Sequence, residues 1–192
     1  MPREKDFSET DVLTSAAELF TRHGYAGTSL SMLTDCTGVG KQSLYNTYGD
    51  KQALYLAALE HTTGSFSPAR WLDSSELTGR ETIKRFFDGV LGDVCSSESP
   101  GCIITHGLLE LADEDALAAP LREKWNEANA ALKRAVVRGQ KDGSISRKLG
   151  SDELADLLMN LLGGLRVANK ARTTKSRMQA IVKNTLAVLD PA

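Results

Sequence analysis

Apolar residues recur along nearly the whole chain at the spacing of an α-helix, and no stretch alternates as a strand would. Val12, Ala16, Leu19, Phe20 and His23 follow at i, i+4, i+7, i+8 and i+11, one helical face. Ser8 with Asp11 three residues on is a capping start, and Gly24 is a glycine stop. A short helix is expected from Ser29 to Cys36, with Leu30 and Leu33 inward and Thr28 or Ser29 as its cap. Gly38 makes the next turn, Lys41–Thr47 forms a third helix, and Asp50 caps a fourth through Leu54, Leu56 and Leu59. Residues 61–77, rich in Ser, Thr and Gly and holding Pro68, read as a helix end and a linker.

Thr78 with Glu81 opens another helix, through Ile83, Phe86, Phe87, Val90, Leu91 and Val94. After a break at 96–101, residues 102–112 form a short apolar helix and 113–120 an acidic turn. A stripe from Leu121 through Trp125, Ala128, Leu132, Ala135 and Val136 then ends near Gly143. Two more helices are expected over 151–169 and 174–189. The fold class is therefore all-α with about nine helices, divided into a small head at 1–50 and a larger body at 51–192.

Composition removes several classes of function. The 192 residues are 41% hydrophobic and 25% charged, a globular balance with enough chain for a real core. No apolar run reaches the ~18 residues of a membrane span, and the polar start is no signal peptide. Three cysteines without a CxxC spacing imply no zinc or redox centre and a reduced, cytoplasmic setting. With no phosphate loop, nucleophile elbow or HExxH, no enzyme, cofactor or metal site is expected. Residues 1–60 carry five Lys/Arg against eight Asp/Glu, a net of −3, so nucleic acid would have to be held by a few placed cations.

Two short helices joined by a Gly-containing turn form a helix-turn-helix arrangement. Leu33, Val39 and Leu44 are spaced to make the small core between them, and Cys36 is expected in that core. Lys41, Gln42, Ser43, Tyr45, Asn46 and Thr47 then fall at or near the outer face. Such side chains suit a major groove: Lys for guanine acceptors, Gln or Asn for adenine, hydroxyls for phosphate.

The stretches Leu19-Phe20-Thr-Arg-His-Gly24-Tyr25-Ala26-Gly27-Thr28-Ser29, Gly38-Val39-Gly40-Lys41-Gln42-Ser43-Leu44-Tyr45 and Tyr48-Gly49-Asp50-Lys51-Gln52-Ala53-Leu54 resemble the N-terminal domain of TetR-type transcriptional regulators. The likeness is close over residues 8–60. It implies a three-helix DNA-binding head, a helical body, and a homodimer on a palindromic double-stranded operator. Carried over residue by residue, it puts Thr28 and Ser29 on phosphate, and Lys41, Gln42 and Ser43 on bases. Tyr45 and Lys51 go to backbone phosphates, and Tyr48 packs under the recognition helix. Gly40 stands where a capping Ser is usual, and Asn46-Thr47 replaces an aromatic or His pair, so Asn46 is a looser match to a DNA-contacting position.

The family's ligand pocket lies among the middle helices, which points to Phe87, His106 and Trp125 and to a mostly apolar inducer. Cys102 follows Gly101 at the start of an apolar helix, where a thiol is activated, so it is either a sensor or an inert core residue. The Leu154–Leu165 ladder and the apolar residues of 174–189 exceed what one monomer face needs, and Gly163-Gly164 would let two helices approach. Self-association through 151–169 and 174–189 is expected. The expected function is a ligand-responsive transcriptional regulator, a repressor released by a small inducer. An activator, and a small-molecule-binding protein with a weakened head, are the alternatives.

Overall fold

The computed structural model describes residues 8–65, 68–73, 76–96 and 101–191. Ten α-helices and a closing 3-10 turn (Ala187–Leu189) account for the regular structure, and no strand occurs among the described residues. In order they are α1 (Glu9–Gly27), α2 (Leu30–Thr37), α3 (Lys41–Tyr48), α4 (Lys51–Ser65), α5 (Pro68–Leu72), α6 (Gly79–Val94), α7 (Ile103–Glu110), α8 (Asp115–Asp142), α9 (Ser151–Lys170) and α10 (Lys175–Leu186).

The chain divides into two compact units that do not follow chain order. One comprises residues 1–66 and 102–122; the other comprises 67–101 and 123–192. In the first, Val12, Ala16, Phe20, Leu33, Val39, Leu44, Leu54, Tyr55 and Leu59 share a core with Ile103, Leu111, Leu117 and Leu121. The second is built on Ile83, Phe86, Phe87, Val90, Leu132, Val136, Leu154, Leu158, Leu165, Met178 and Val182.

Several ends are set by side-chain chemistry visible in the sequence. Ser8 Oγ accepts from the Asp11 N–H, Ser29 Oγ from Met32 and Asp50 Oδ1 from Ala53, capping α1, α2 and α4. Thr78 and Glu81 form a reciprocal capping box on α6.

Three expectations change. Gly24 does not stop α1 in the left-handed helical region; its φ of 76° and ψ of 173° kink the chain, which resumes a turn to Gly27. The stretch expected as linker holds α5, whose Leu72 is fully buried. Of the expected acidic turn at 113–120 only Asp113 and Glu114 precede α8, which begins at Asp115 and holds Pro120 inside it. One N–H is missing there, but Leu117, Ala118 and Leu121 are almost wholly buried around it, and their packing outweighs the lost bond.

Candidate nucleic-acid interface

The helix-turn-helix is formed by α2 and α3, each eight residues long. Helices this short do not hold by themselves in water. They stand because Leu33 and Leu44 are fully buried and Val39 nearly so. Gly38, at φ 68° and ψ 8°, makes the left-handed turn between them without a Cβ penalty.

Fixing Leu44 inward turns the rest of α3 outward. Lys41, Gln42, Ser43 and Asn46 are exposed, and Tyr45 and Thr47 are half-buried. The outer side chains pair one turn apart. Gln42 Nε2 donates to Asn46 Oδ1 at 3.1 Å, and Lys41 Nζ stands 5.9 Å from the centre of the Tyr45 ring. Gly40 begins α3 with no side-chain cap, so its first N–H groups have no capping partner. Ser29 is exposed.

Thr28 corrects the sequence reading. It is fully buried, and its hydroxyl donates to the Gly24 carbonyl at 2.7 Å and to that of Leu19 at 3.4 Å. The kink at Gly24 turns that carbonyl inward, and Thr28 is the group that satisfies it, so its hydroxyl is not presented to phosphate. Cys36 is also displaced, lying exposed at the end of α2 rather than in the core. Partial burial and the nearby Glu18 push its thiol above the ordinary cysteine value, against a weaker opposing bond from Ser15.

Lys51 is half-buried with Nζ 4.5 Å from the Tyr25 ring centre, a cation–π placement. Burial pulls its ammonium below the ordinary lysine value, while Glu110 works the other way. Tyr25 in turn stacks on Phe20 and meets Tyr55 edge-on. Tyr48 is half-buried beside this core, and burial raises its phenol.

One residue of this unit carried no sequence signal. Glu110, at the end of α7, accepts from the N–H of Tyr25 through Oε2 and from that of Ala26 through Oε1, both at 2.6 Å. A Cβ on Gly24 would stand 2.6 Å from Glu110 Oε2.

Residues 12–58 match the model of the bacterial regulatory proteins of the tetR family. The chain is 29% identical over 198 residues to an uncharacterized HTH-type transcriptional regulator, YezE, of Bacillus subtilis, covering 99% of this chain and 100% of that one. It is 24% identical to the HTH-type transcriptional repressor ComR of Escherichia coli, over 96% and 90% of the two chains. Its fold superposes on the TetR-family regulator CifR, a cysteine mutant complexed with a 26-bp double-strand operator, with a TM-score of 0.88 at 27% identity over 97% and 99% of the chains.

The chain belongs to the TetR family.

The remaining site residues of this TetR-family regulator lie in two places. Cys102 is the residue before α7, and His106, a turn later, donates its backbone N–H to the Cys102 carbonyl; both are half-buried in the first unit. Phe87 and Trp125 belong to the second, where Phe87 is fully buried edge-on to Phe86. Trp125 is half-buried, and a Cβ on Gly163 would come within 3.2 Å of its ring. Two open concavities of the second unit, about 460 and 330 Å³, are lined by neither Phe87 nor Trp125. The first takes Gln140, Ile145, Ser146 and Arg147; the second takes Lys133, Arg134, Val137 and Lys141.

The Leu ladder of α9 sorts into two faces. Leu154, Leu158, Leu161 and Leu165 are consumed by the monomer's own core. Gly163 makes room for Trp125 of the same chain, so it is not the helix-approach site expected of it. Leu157, Asn160, Gly164 and Val167 lie on another stripe at i, i+3, i+7 and i+10, with Leu157 37% and Val167 52% exposed. On α10 and the turn after it, Ile181 is 39% and Val188 46% exposed. No group of three or more His, Cys, Asp and Glu that would hold a metal occurs among the described residues, and no described helix is long and apolar enough to cross a membrane.

Proposed function

We propose that this chain is a ligand-responsive transcriptional repressor that binds a palindromic operator as a homodimer and is released by a small, mostly apolar inducer. The observation that carries the reading is α3: a helix held by buried Leu44 that offers Lys41, Gln42, Ser43 and Asn46 to solvent, with Gln42 bonded to Asn46. Gln42, Lys41 and Ser43 meet base edges. Ser29, Tyr45, Asn46 and Lys51, with the uncapped start of α3, meet phosphates. Thr28 supports this surface from below. The cytoplasm, where the DNA is, is the place of action.

The exposed stripes of α9 and α10 support the homodimer. Leu157, Val167, Ile181 and Val188 are apolar side chains that the monomer leaves in water, and Gly164 keeps one stripe low enough for a close helix approach. A two-fold dimer presents two copies of α3 to half-sites one DNA turn apart, about 34 Å. That doubling compensates the acidic head, since each head alone has few cations to release counterions. Ligand control then follows from unequal affinity of the inducer for two dimer arrangements. Phe87 and Trp125 are the proposed ligand contacts of the second unit, and His106 is a separate candidate in the first.

Selection of bound duplexes from a random DNA pool tests the reading. A two-fold symmetric sequence is expected; recovery of no common sequence, or of an asymmetric one, overturns it. A second trigger is covalent modification of Cys102, favoured by its place at the start of α7. Operator release by an electrophile that persists in Cys102→Ser rejects that route.

A further inference from the structure

Glu110 sits on α7, far along the chain from the helix-turn-helix, yet its carboxylate ends against the corner between α1 and α2. Gly24, at φ 76° and ψ 173°, kinks the chain, and the two successive N–H groups that follow, Tyr25 and Ala26, both donate to one carboxylate. Successive amides so aligned make a concavity for an anion. The anion here is internal, with both Glu110 oxygens engaged at 2.6 Å, one on each amide. These are charge-assisted bonds, roughly twice as strong as neutral ones. Glycine at 24 is required twice over: by its backbone angles, and because a Cβ would meet Oε2 at 2.6 Å.

What this corner carries is the reading surface. Thr28, two residues beyond Ala26, is buried against the Gly24 carbonyl, and Ser29 caps α2. Tyr25 also bears the Lys51 ammonium on its ring. A shift of the corner therefore moves the entry to α2 and the Lys51 anchor together.

We propose that Glu110 is a positioning residue for DNA recognition, its carboxylate holding the α1–α2 corner in the geometry that seats α2 and α3 on the operator. This rests on the DNA-binding reading above. It also makes α7, which starts beside Cys102, an element through which events at its first turn reach the head.

Charge and position predict opposite signs, which makes the test decisive. Glu110→Gln removes a further negative charge beside a head whose residues 1–60 already carry a net of −3, so electrostatics alone strengthens binding to a polyanion. Positioning predicts the reverse, because the amide presents one acceptor where two are needed. Glu110→Asp keeps the charge but is a methylene short of the pair.

Binding of wild type, Glu110→Gln and Glu110→Asp is measured by fluorescence anisotropy on a duplex selected by the wild type and on an unrelated duplex. Amide exchange at Tyr25 and Ala26 is followed by NMR. Expected are about a tenfold or greater loss on the selected duplex for Glu110→Gln, a smaller loss for Glu110→Asp, little loss on the unrelated duplex, and faster exchange at both amides in each variant. Equal or tighter binding of Glu110→Gln to the selected duplex overturns the proposal, as does unchanged amide exchange. Equal losses on both duplexes with lost circular dichroism mark a folding defect, and Glu110→Asp at wild-type helicity then decides: full affinity rejects the proposal. A wild type that selects no duplex refutes the DNA-binding reading, and this role of Glu110 falls with it, whereas failure of the variants alone leaves that reading standing.

Discussion

Replacing Gly79 by Ala and Gly92 by Ala, two exchanges in the same helix, should change stability in opposite directions. Gly79 opens α6 where it crosses α8, and an added Cβ would lie 2.3 Å from Gly139 N, 2.4 Å from its Cα and 2.5 Å from the Ala135 carbonyl oxygen. Carbon contacts sit at about 3.5–4.0 Å, so the helices must part by more than an ångström at a point where both partners are backbone. The seam that would open includes Thr82, Ile83 and Phe86, all at most 3% exposed, and the Gly79 N–H bond to Asp142. Overpacking of this kind costs about 1–3 kcal/mol, and the upper end applies where no side chain can swing away. For a chain of this size that lowers Tm by roughly 6–12 °C. Gly92 has nothing within 4 Å of its added Cβ, so Ala there gains about 0.5–1 kcal/mol of helix propensity. Thermal and urea unfolding at one fixed protein concentration should separate the two variants by about 3.5–4 kcal/mol. A Gly79→Ala protein as stable as the parent, or two shifts of the same sign, would refute the account of the α6–α8 crossing.

Gln42→Ala should cost about 1–3 kcal/mol on the selected duplex and relax one base position per half-site, whereas Lys51→Ala should weaken all duplexes alike and flatten the salt dependence; anisotropy titrations at several salt concentrations check both. Leu157→Arg and Ile181→Arg should leave monomer helicity intact and give monomers by sedimentation, while Leu165→Ala should cost about 2–5 kcal/mol of stability instead, because Leu165 is 1% exposed within one chain. Asp142 bears on acid stability. Burial alone would raise its carboxyl, but bonds from Ser144 and from the Gly79 N–H outweigh it and hold it below the usual value. A depressed carboxylate adds stability above its unfolded pKa of 3.8 and loses it as pH falls through the folded value. Asp142→Asn should therefore flatten the acid limb of a stability-versus-pH curve below about pH 4, and an unchanged limb would count against the bond to Gly79.

Much of the fold was legible because it depends on local chemistry. The Thr78–Glu81 box, the Ser8, Ser29 and Asp50 caps, and the Leu33–Val39–Leu44 core all follow from spacing and side-chain type. What was not legible depends on contacts distant in sequence. Thr28 and Ser29 are equivalent as candidate caps until the kink at Gly24 directs one of them inward. Gly163 and Gly164 are neighbours of identical type, but only the first faces Trp125. The same limit hid Glu110, an acidic residue at a helix end whose partners lie 84 and 85 residues away. Pro120 misled in the other direction, since a local breaking signal was overruled by the burial of Leu117 and Leu121.

The brevity of α2 and α3 has a consequence for genetics. Neither eight-residue helix persists without the side chains beneath it, so the surface that meets DNA has no stability separate from Leu33 and Leu44. A screen that reports only lost control of a promoter will recover substitutions at these two hidden positions beside those at Gln42. Alleles at the hidden positions will be rescued by cooling, because they change how often the reading surface is formed. Alleles at Gln42 will not, because they change what that surface says once it is formed.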